Sequence, residues 1–343
     1  MMWALGVFSV ELQECVGQAA NMTRTFAGLA LAFVTSISIP AVNQTQESPK
    51  TPPEKMEVRA RYLGVTGWEI TDGKTHILID PYLSRLPGPP ADGGTGGAGW
   101  PGKMKQDDPA IPDTAAIDHY IDRADYILLT HTHYVHALDA PYIARTRKAI
   151  IIGSESASNI AQDYGVPDDQ IITIRGGEDF DFGAFSLRVF PSLHSFGAGK
   201  HYFNPGTAPA GAKWPLHFRD FVEGGVYGFL IRLNGIQIVV FGSMNYIERE
   251  LTGLHPDVAL VASSPMRKEI YDYTGRLLRA LNLPPLVVAT HWDFSQLPFD
   301  ASFAKQRQEA EEFAAEVRHV SPQSRVIIPP HFEWITFSPE QQH

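Results

Sequence analysis

The sequence predicts an α/β protein built as a four-layer αββα sandwich. Short β-like runs fall into two blocks along the chain, each block has its own helix-like segments, and Asn234-Gly235 joins two apolar runs as a hairpin. With 343 residues, 44% of them hydrophobic and 19% charged, the chain can bury a sizeable core without covalent staples.

The elements follow in order. From Met22 the chain reads Met-Thr-Arg-Thr, an apolar stretch over 26–39, then Pro40-Ala41 before a polar tract. Arg24, the short apolar run and the small residue Ala41 have the layout of a secretory signal peptide, with 1–21 an upstream extension; a membrane-spanning helix wants ~20 apolar residues. The expected product is periplasmic or secreted, with no stable membrane insertion after processing. Residues 42–57 read as a linker, and a single domain is expected over 58–343. Strand-like runs at 58–63, 68–71 and 76–80, separated by Gly64, Gly67 and Asp72-Gly73, suggest a meander at a sheet edge. The Gly- and Pro-rich stretch 84–112 is too long for a simple connection and reads as a lid or binding loop. Beyond it come a helix at 115–123, a strand at 126–129, and further segments at 140–145, 150–152 and 157–164. The second block has strands at 171–174, 185–190, 227–233, 236–241, 258–261 and 286–289. A helix is expected over 269–281 and another over 301–317, capped by Asp300, with Ala310, Phe313, Ala314 and Val317 on one face.

Composition excludes several functions. Lys+Arg 28 against Asp+Glu 38 gives a net charge of -10, and no basic run offsets it, so nucleic acid is not expected as a partner. The single cysteine, Cys15, lies in the segment expected to be removed, so neither a disulfide framework nor a thiolate site is available. Any metal must then be held by histidines, carboxylates or amides.

The most informative segment is Thr130-His131-Thr132-His133-Tyr134-Val135-His136, directly after an apolar strand. Its imidazoles can converge at the strand end, where neutral imidazole nitrogens suit a borderline cation such as Zn²⁺. His194 and His291 also stand just past strand-like runs, and this recurrence marks a site. On these residues the sequence resembles the metallo-β-lactamase superfamily, whose mark is His-x-His-x-Asp-His after a strand. With Ile79-Asp80-Pro81-Tyr82-Leu83, Leu138-Asp139 and Gly224-Gly225-Val226-Tyr227, it is similar to the branch of ascorbate-6-phosphate lactonase and N-acyl phosphatidylethanolamine phospholipase D. The resemblance covers about 58–337 and implies a first metal position of His131, His133 and His194, and a second including His136 and His291.

Two positions depart from the family. Val135 stands where the motif has Asp, and Ser243 where a bridging Asp is found, so the second position is impaired and one zinc is expected. Gly242-Ser243-Met244-Asn245 is similar to hydrolytic chlorothalonil dehalogenases, which makes Asn245 a candidate ligand and dehalogenation a rival chemistry. The resemblance implies hydrolysis of a small ester, lactone or phosphodiester by zinc-activated hydroxide. A third reading is a variant of reduced or no activity because of Val135.

In the role of the missing Asp stand Asp293 and Asn245, with Asp80 fixing the tautomer of a ligand histidine. Trp100, Tyr134, His201, Trp214 and Trp292 are candidates to bind a small-molecule substrate under the two long loops. No Gly-x-Ser-x-Gly elbow surrounds Ser192 or Ser195, which argues against a serine hydrolase. Exposed faces of the last two helices leave a homodimer open.

Overall fold

A computed structural model describes residues 57–89, 102–197 and 199–337. The chain opens with an antiparallel meander, β1 (Val58–Gly64), β2 (Gly67–Thr71) and β3 (His76–Ile79), as its turn residues predict. After α1 (Thr114–Tyr120), β4 (Tyr126–Leu128) joins β3 in parallel. The chain continues through α2 (Tyr134–Ala137), α3 (Ala140–Arg147), β5 (Ile150–Gly153), α4 (Glu155–Tyr164) and β6 (Ile171–Thr173). The second half runs β7 (Asp179–Asp181), β8 (Phe185–Pro191), β9 (Tyr227–Leu233), β10 (Ile236–Phe241), β11 (Val258–Ala262), α5 (Tyr273–Ala280), β12 (Leu286–Thr290), α6 (Ala304–Val320), β13 (Arg325–Ile327) and β14 (Trp334–Phe337).

Two seven-stranded sheets result, ordered β14-β1-β2-β3-β4-β5-β6 and β13-β12-β11-β10-β9-β8-β7. Period-2 alternation sorts their side chains into layers. On β10, Ile236, Ile238 and Val240 enter the core between the sheets, together with Ala60, Ile70, Leu187 and Phe229. The alternate residues Val239 and Phe241 pack outward against Leu277 and Leu278 of α5 and Phe313 and Val317 of α6. On the other sheet Leu128 points inward, while Ile127 and Ile151 meet Ile117 of α1, Ile143 of α3 and Ile160 of α4. The four layers expected from the sequence are therefore the observed ones.

Helix limits follow local capping. Asp113 accepts from the amides of Ala115 and Ala116 and starts α1; Ser154 accepts from Ala157 and starts α4. Asp300 does not cap α6 as expected. A turn closed by Ala301 N–H on Pro298 O at 3.0 Å occupies that stretch, and the helix starts only at Ala304 without a side-chain cap. The helix expected over 269–281 is shorter, because a 3₁₀ turn at Pro265–Glu269 precedes α5.

The C-terminal ends of β4, β8, β10 and β12 lie together at one end of the sandwich, where a ligand site is expected for parallel strands. Bonds cross between the sheets here: Tyr227 N–H to Thr130 O at 2.8 Å and Trp68 Nε1 to Thr290 Oγ1 at 3.1 Å. Gly242 is required by this approach, since a Cβ there would come within 1.8 Å of Thr130 Oγ1.

Candidate metal centre

Past β4, Thr130 is anchored by its N–H to Asp80 Oδ1 at 2.8 Å, and the chain then presents His131 and His133. The loop after β8 supplies His194. All three are buried, and their candidate ligand atoms lie within 4.8 Å of one another. Hydrogen bonds fix which nitrogen each ring offers. The Thr130 hydroxyl donates to Asp80 Oδ2 at 2.5 Å, so its lone pair is left for His131 Nδ1–H at 3.1 Å; His131 Nε2 is then bare, buried and without a hydrogen-bond partner. His194 Nδ1 donates to Ser195 O at 2.6 Å, which leaves Nε2 bare. His133 is turned the other way: Nε2 donates to Phe203 O at 3.0 Å, which makes Nδ1 the nitrogen with the lone pair.

Burial, and then the neighbouring imidazoles, make protonation of these rings costly. His133 is held down at about 3, and His131 and His194 well below their usual range. Neutral, bare nitrogens converging in a buried pocket are metal-ligand chemistry, and the orphaned His131 Nε2 is the feature a cation would satisfy.

His136 and His291 stand beside this group. The His136 ring centroid is 3.8 Å from that of His131 and 6.0 Å from that of His291. His136 Nδ1 lies 2.9 Å from Asp80 Oδ2 and 2.7 Å from Thr66 Oγ1. Asp80 Oδ2 thus faces Thr66, Thr130 and His136 together, which suits an orienting role, and Asp80, His131 and His136 also form a second buried group with ligand atoms within 4.8 Å of one another. His291 Nδ1 is buried without a partner, and burial, then His136, lowers this ring to about 4.

The remaining predicted residues sort by their partners. Val135 is half-buried and packs in the apolar layer outside the first sheet. Ser243 Oγ accepts from Ser195 N–H at 2.9 Å, and Asn245 Nδ2 donates to His194 O at 3.1 Å while Asn245 Oδ1 takes the Tyr246 amide. Both therefore brace the loop that carries His194. The Asp293 carboxylate is filled by Tyr62 Oη, the Val65 amide, Arg85 Nη1 and His331 Nε2. Burial opposes its ionisation, but Arg85 and His331 prevail and hold it well below the usual carboxylate range. Trp292 is buried between Tyr62, Phe303 and His331 under the Arg307 guanidinium. Trp214 packs edge-on against Tyr164 in the outer layer, His201 is exposed, and Trp100 lies outside the described residues.

A recess opens beside His133, lined by Gln106, Tyr134, Asn204, Phe218 and Phe221. Tyr134 is the predicted substrate residue that reaches it; its hydroxyl accepts from Gln296 Nε2 at 2.6 Å. Sequence reasoning missed Thr66, Thr130 and Arg85, and weighed Ser195 only as a nucleophile. Only Thr130, directly before the first histidine, carries a signal that could have found it.

A two-sheet sandwich with buried histidines at its strand ends defines a metal-dependent hydrolase of the metallo-β-lactamase fold. The chain belongs to the beta-lactamase superfamily, whose domain profile matches residues 75–292. It is 27% identical to a UPF0173 metal-dependent hydrolase of Symbiobacterium thermophilum over 80% of this chain and 97% of the relative. A Thermus thermophilus protein of the same description is 24% identical over 79% of this chain and 96% of its own length. Among solved structures, a metallo hydrolase from Ignicoccus hospitalis superposes with a TM-score of 0.52 at 18% identity, covering 82% of this chain and 99% of that one.

Proposed function

We propose that this chain is an exported zinc hydrolase with one resident ion, held by His131 Nε2, His133 Nδ1 and His194 Nε2, that cleaves a small ester, lactone or phosphodiester. The observation that carries the reading is the convergence of one ring nitrogen from each of the three buried histidines within 4.8 Å. When bound, the ion supplies Lewis-acid polarisation of the scissile group and a lowered pKa for water. The protein's own groups do the rest. Ser195 O, Phe203 O and the Thr130 hydroxyl keep each ring in the tautomer that points a lone pair inward. His133 borders both the ligand cluster and the small recess, so the approach to the centre runs past this residue. Phe218, Phe221 and Tyr134 give the recess apolar faces, a lining suited to a neutral ester or lactone. Export follows from the signal-peptide layout of 22–41 and is checked by N-terminal sequencing of the secreted protein.

Elemental analysis of wild type beside His133→Ala tests the centre. About one zinc per chain, lost in the variant, is expected. Wild type without bound metal overturns the reading. In the activity screen, halide released from a chlorinated aromatic nitrile, with esters and lactones untouched, would move the chemistry to dehalogenation.

A further inference from the structure

The turn between β1 and β2, residues 64–67, supplies none of the candidate ligands, yet it holds both histidines of the second position. Thr66 is fully buried, with Oγ1 2.8 Å from Asp80 Oδ2 and 2.7 Å from His136 Nδ1. An ionised carboxylate only accepts, so the Thr66 hydroxyl hydrogen goes to Asp80 and its lone pair receives an N–H from His136. That order places hydrogen on Nδ1 and leaves Nε2 of His136 bare.

One residue earlier, Val65 has φ +54, a left-handed backbone that a β-branched residue rarely adopts. Asp293 Oδ1 takes its N–H at 2.8 Å, and its carbonyl accepts from Tyr62 Oη at 2.8 Å and from the His291 amide at 2.5 Å. Asp80, Arg85 and His291, which this network joins to the turn, also have positive φ, at 40, 47 and 51. Strain of this kind persists where the surroundings over-determine it, and it gathers at functional sites.

We propose that this turn is a positioning element of the second metal position: Thr66 sets the nitrogen that His136 presents, and the Val65 carbonyl sets the backbone from which His291 projects. The proposal rests on the metal-centre reading above. Thr66 acts through His136 and touches no reacting atom.

The test uses metal-free protein labelled with ¹⁵N-histidine, as wild type, Thr66→Val and Thr66→Ser, with thermal unfolding to confirm that each is folded. Long-range ¹H–¹⁵N correlation is expected to show His136 protonated at Nδ1 alone in wild type and Thr66→Ser. In Thr66→Val a population protonated at Nε2 is expected to appear. In a Val135→Asp background, zinc at the second position should weaken by about 10–100-fold with Thr66→Val and recover with Thr66→Ser. An unchanged His136 pattern in folded Thr66→Val overturns the proposal, because Asp80, itself 2.9 Å from His136 Nδ1, would then suffice. A wild type that binds no zinc while Thr66→Val still alters His136 removes the function proposed above and leaves the hold of Thr66 intact.

Discussion

The two halves of the centre are oriented by different means. In the first half His133 and His194 are set by main-chain carbonyls, those of Phe203 and Ser195, which a substitution leaves in place as long as the loop keeps its path, and His131 alone is set by a side chain, the Thr130 hydroxyl. His136 and His291 depend on side chains: Thr66 and Asp80 for one, and for the other a Val65 backbone itself held by Asp293, which is paired with Arg85. The half with mainly backbone support brings three buried imidazoles together. The other half keeps its scaffold with Val135 and Ser243 at the positions where the resemblance implies carboxylates. Framework and ligand set are thus separable, and a position can lose its charge while the residues that would orient its histidines remain.

Restoring the charge breaks the comparison most directly. Val135→Asp is expected to raise zinc from about one to about two per chain. Elemental analysis reads this, and an unchanged content would show that Ser243 alone keeps the second position closed. Removing the scaffold has the next largest effect. Asp293→Asn leaves the Arg85 guanidinium buried without its counter-charge and is expected to cost about 3–5 kcal/mol of stability. Denaturant unfolding measures it, while zinc at His131, His133 and His194 is expected to stay. A loss below about 1 kcal/mol would show that the network is not a support.

The smallest effect is graded with pH. Burial, then the neighbouring imidazole of His136, holds His133 at about 3 and His291 at about 4, against 6.5 for a free histidine. In the unfolded chain these rings take up protons near 6.5, whereas in the folded protein they do so only at their depressed values. The metal-free protein therefore has this stability in full above 6.5 and loses it as pH falls toward about 4, by about 1.4 kcal/mol per pH unit for each ring. Unfolding midpoints at pH 7.5 and 4.5 test the sign, and equal midpoints would count against buried neutral imidazoles.

The layers and the histidine cluster were legible because each is written locally. The apolar runs of β9 and β10, the Asn234-Gly235 turn, and histidines following strands need only a few adjacent residues. The supports were not, since Thr66 and His136 are 70 residues apart and Tyr62 and Asp293 are 231 apart. Strands β7, β13 and β14, of three or four residues, are too short to show a period. Asp293 reads as a site residue by its distance from His291, but the positive φ at His291 breaks the regular progression of the chain, and the carboxylate is spent on Arg85.

The outer neighbour of β1 is β14, with Val58 opposite Phe337, and His331 just before it stacks on Tyr62 and reaches Asp293. During synthesis β1 therefore waits through almost the whole described chain with one edge unpaired, an invitation to pair with another molecule. Residues 331–337, near the end of the described chain, both close that edge and complete the network around Asp293, so the second half of the centre reaches its final form only once this late segment has docked.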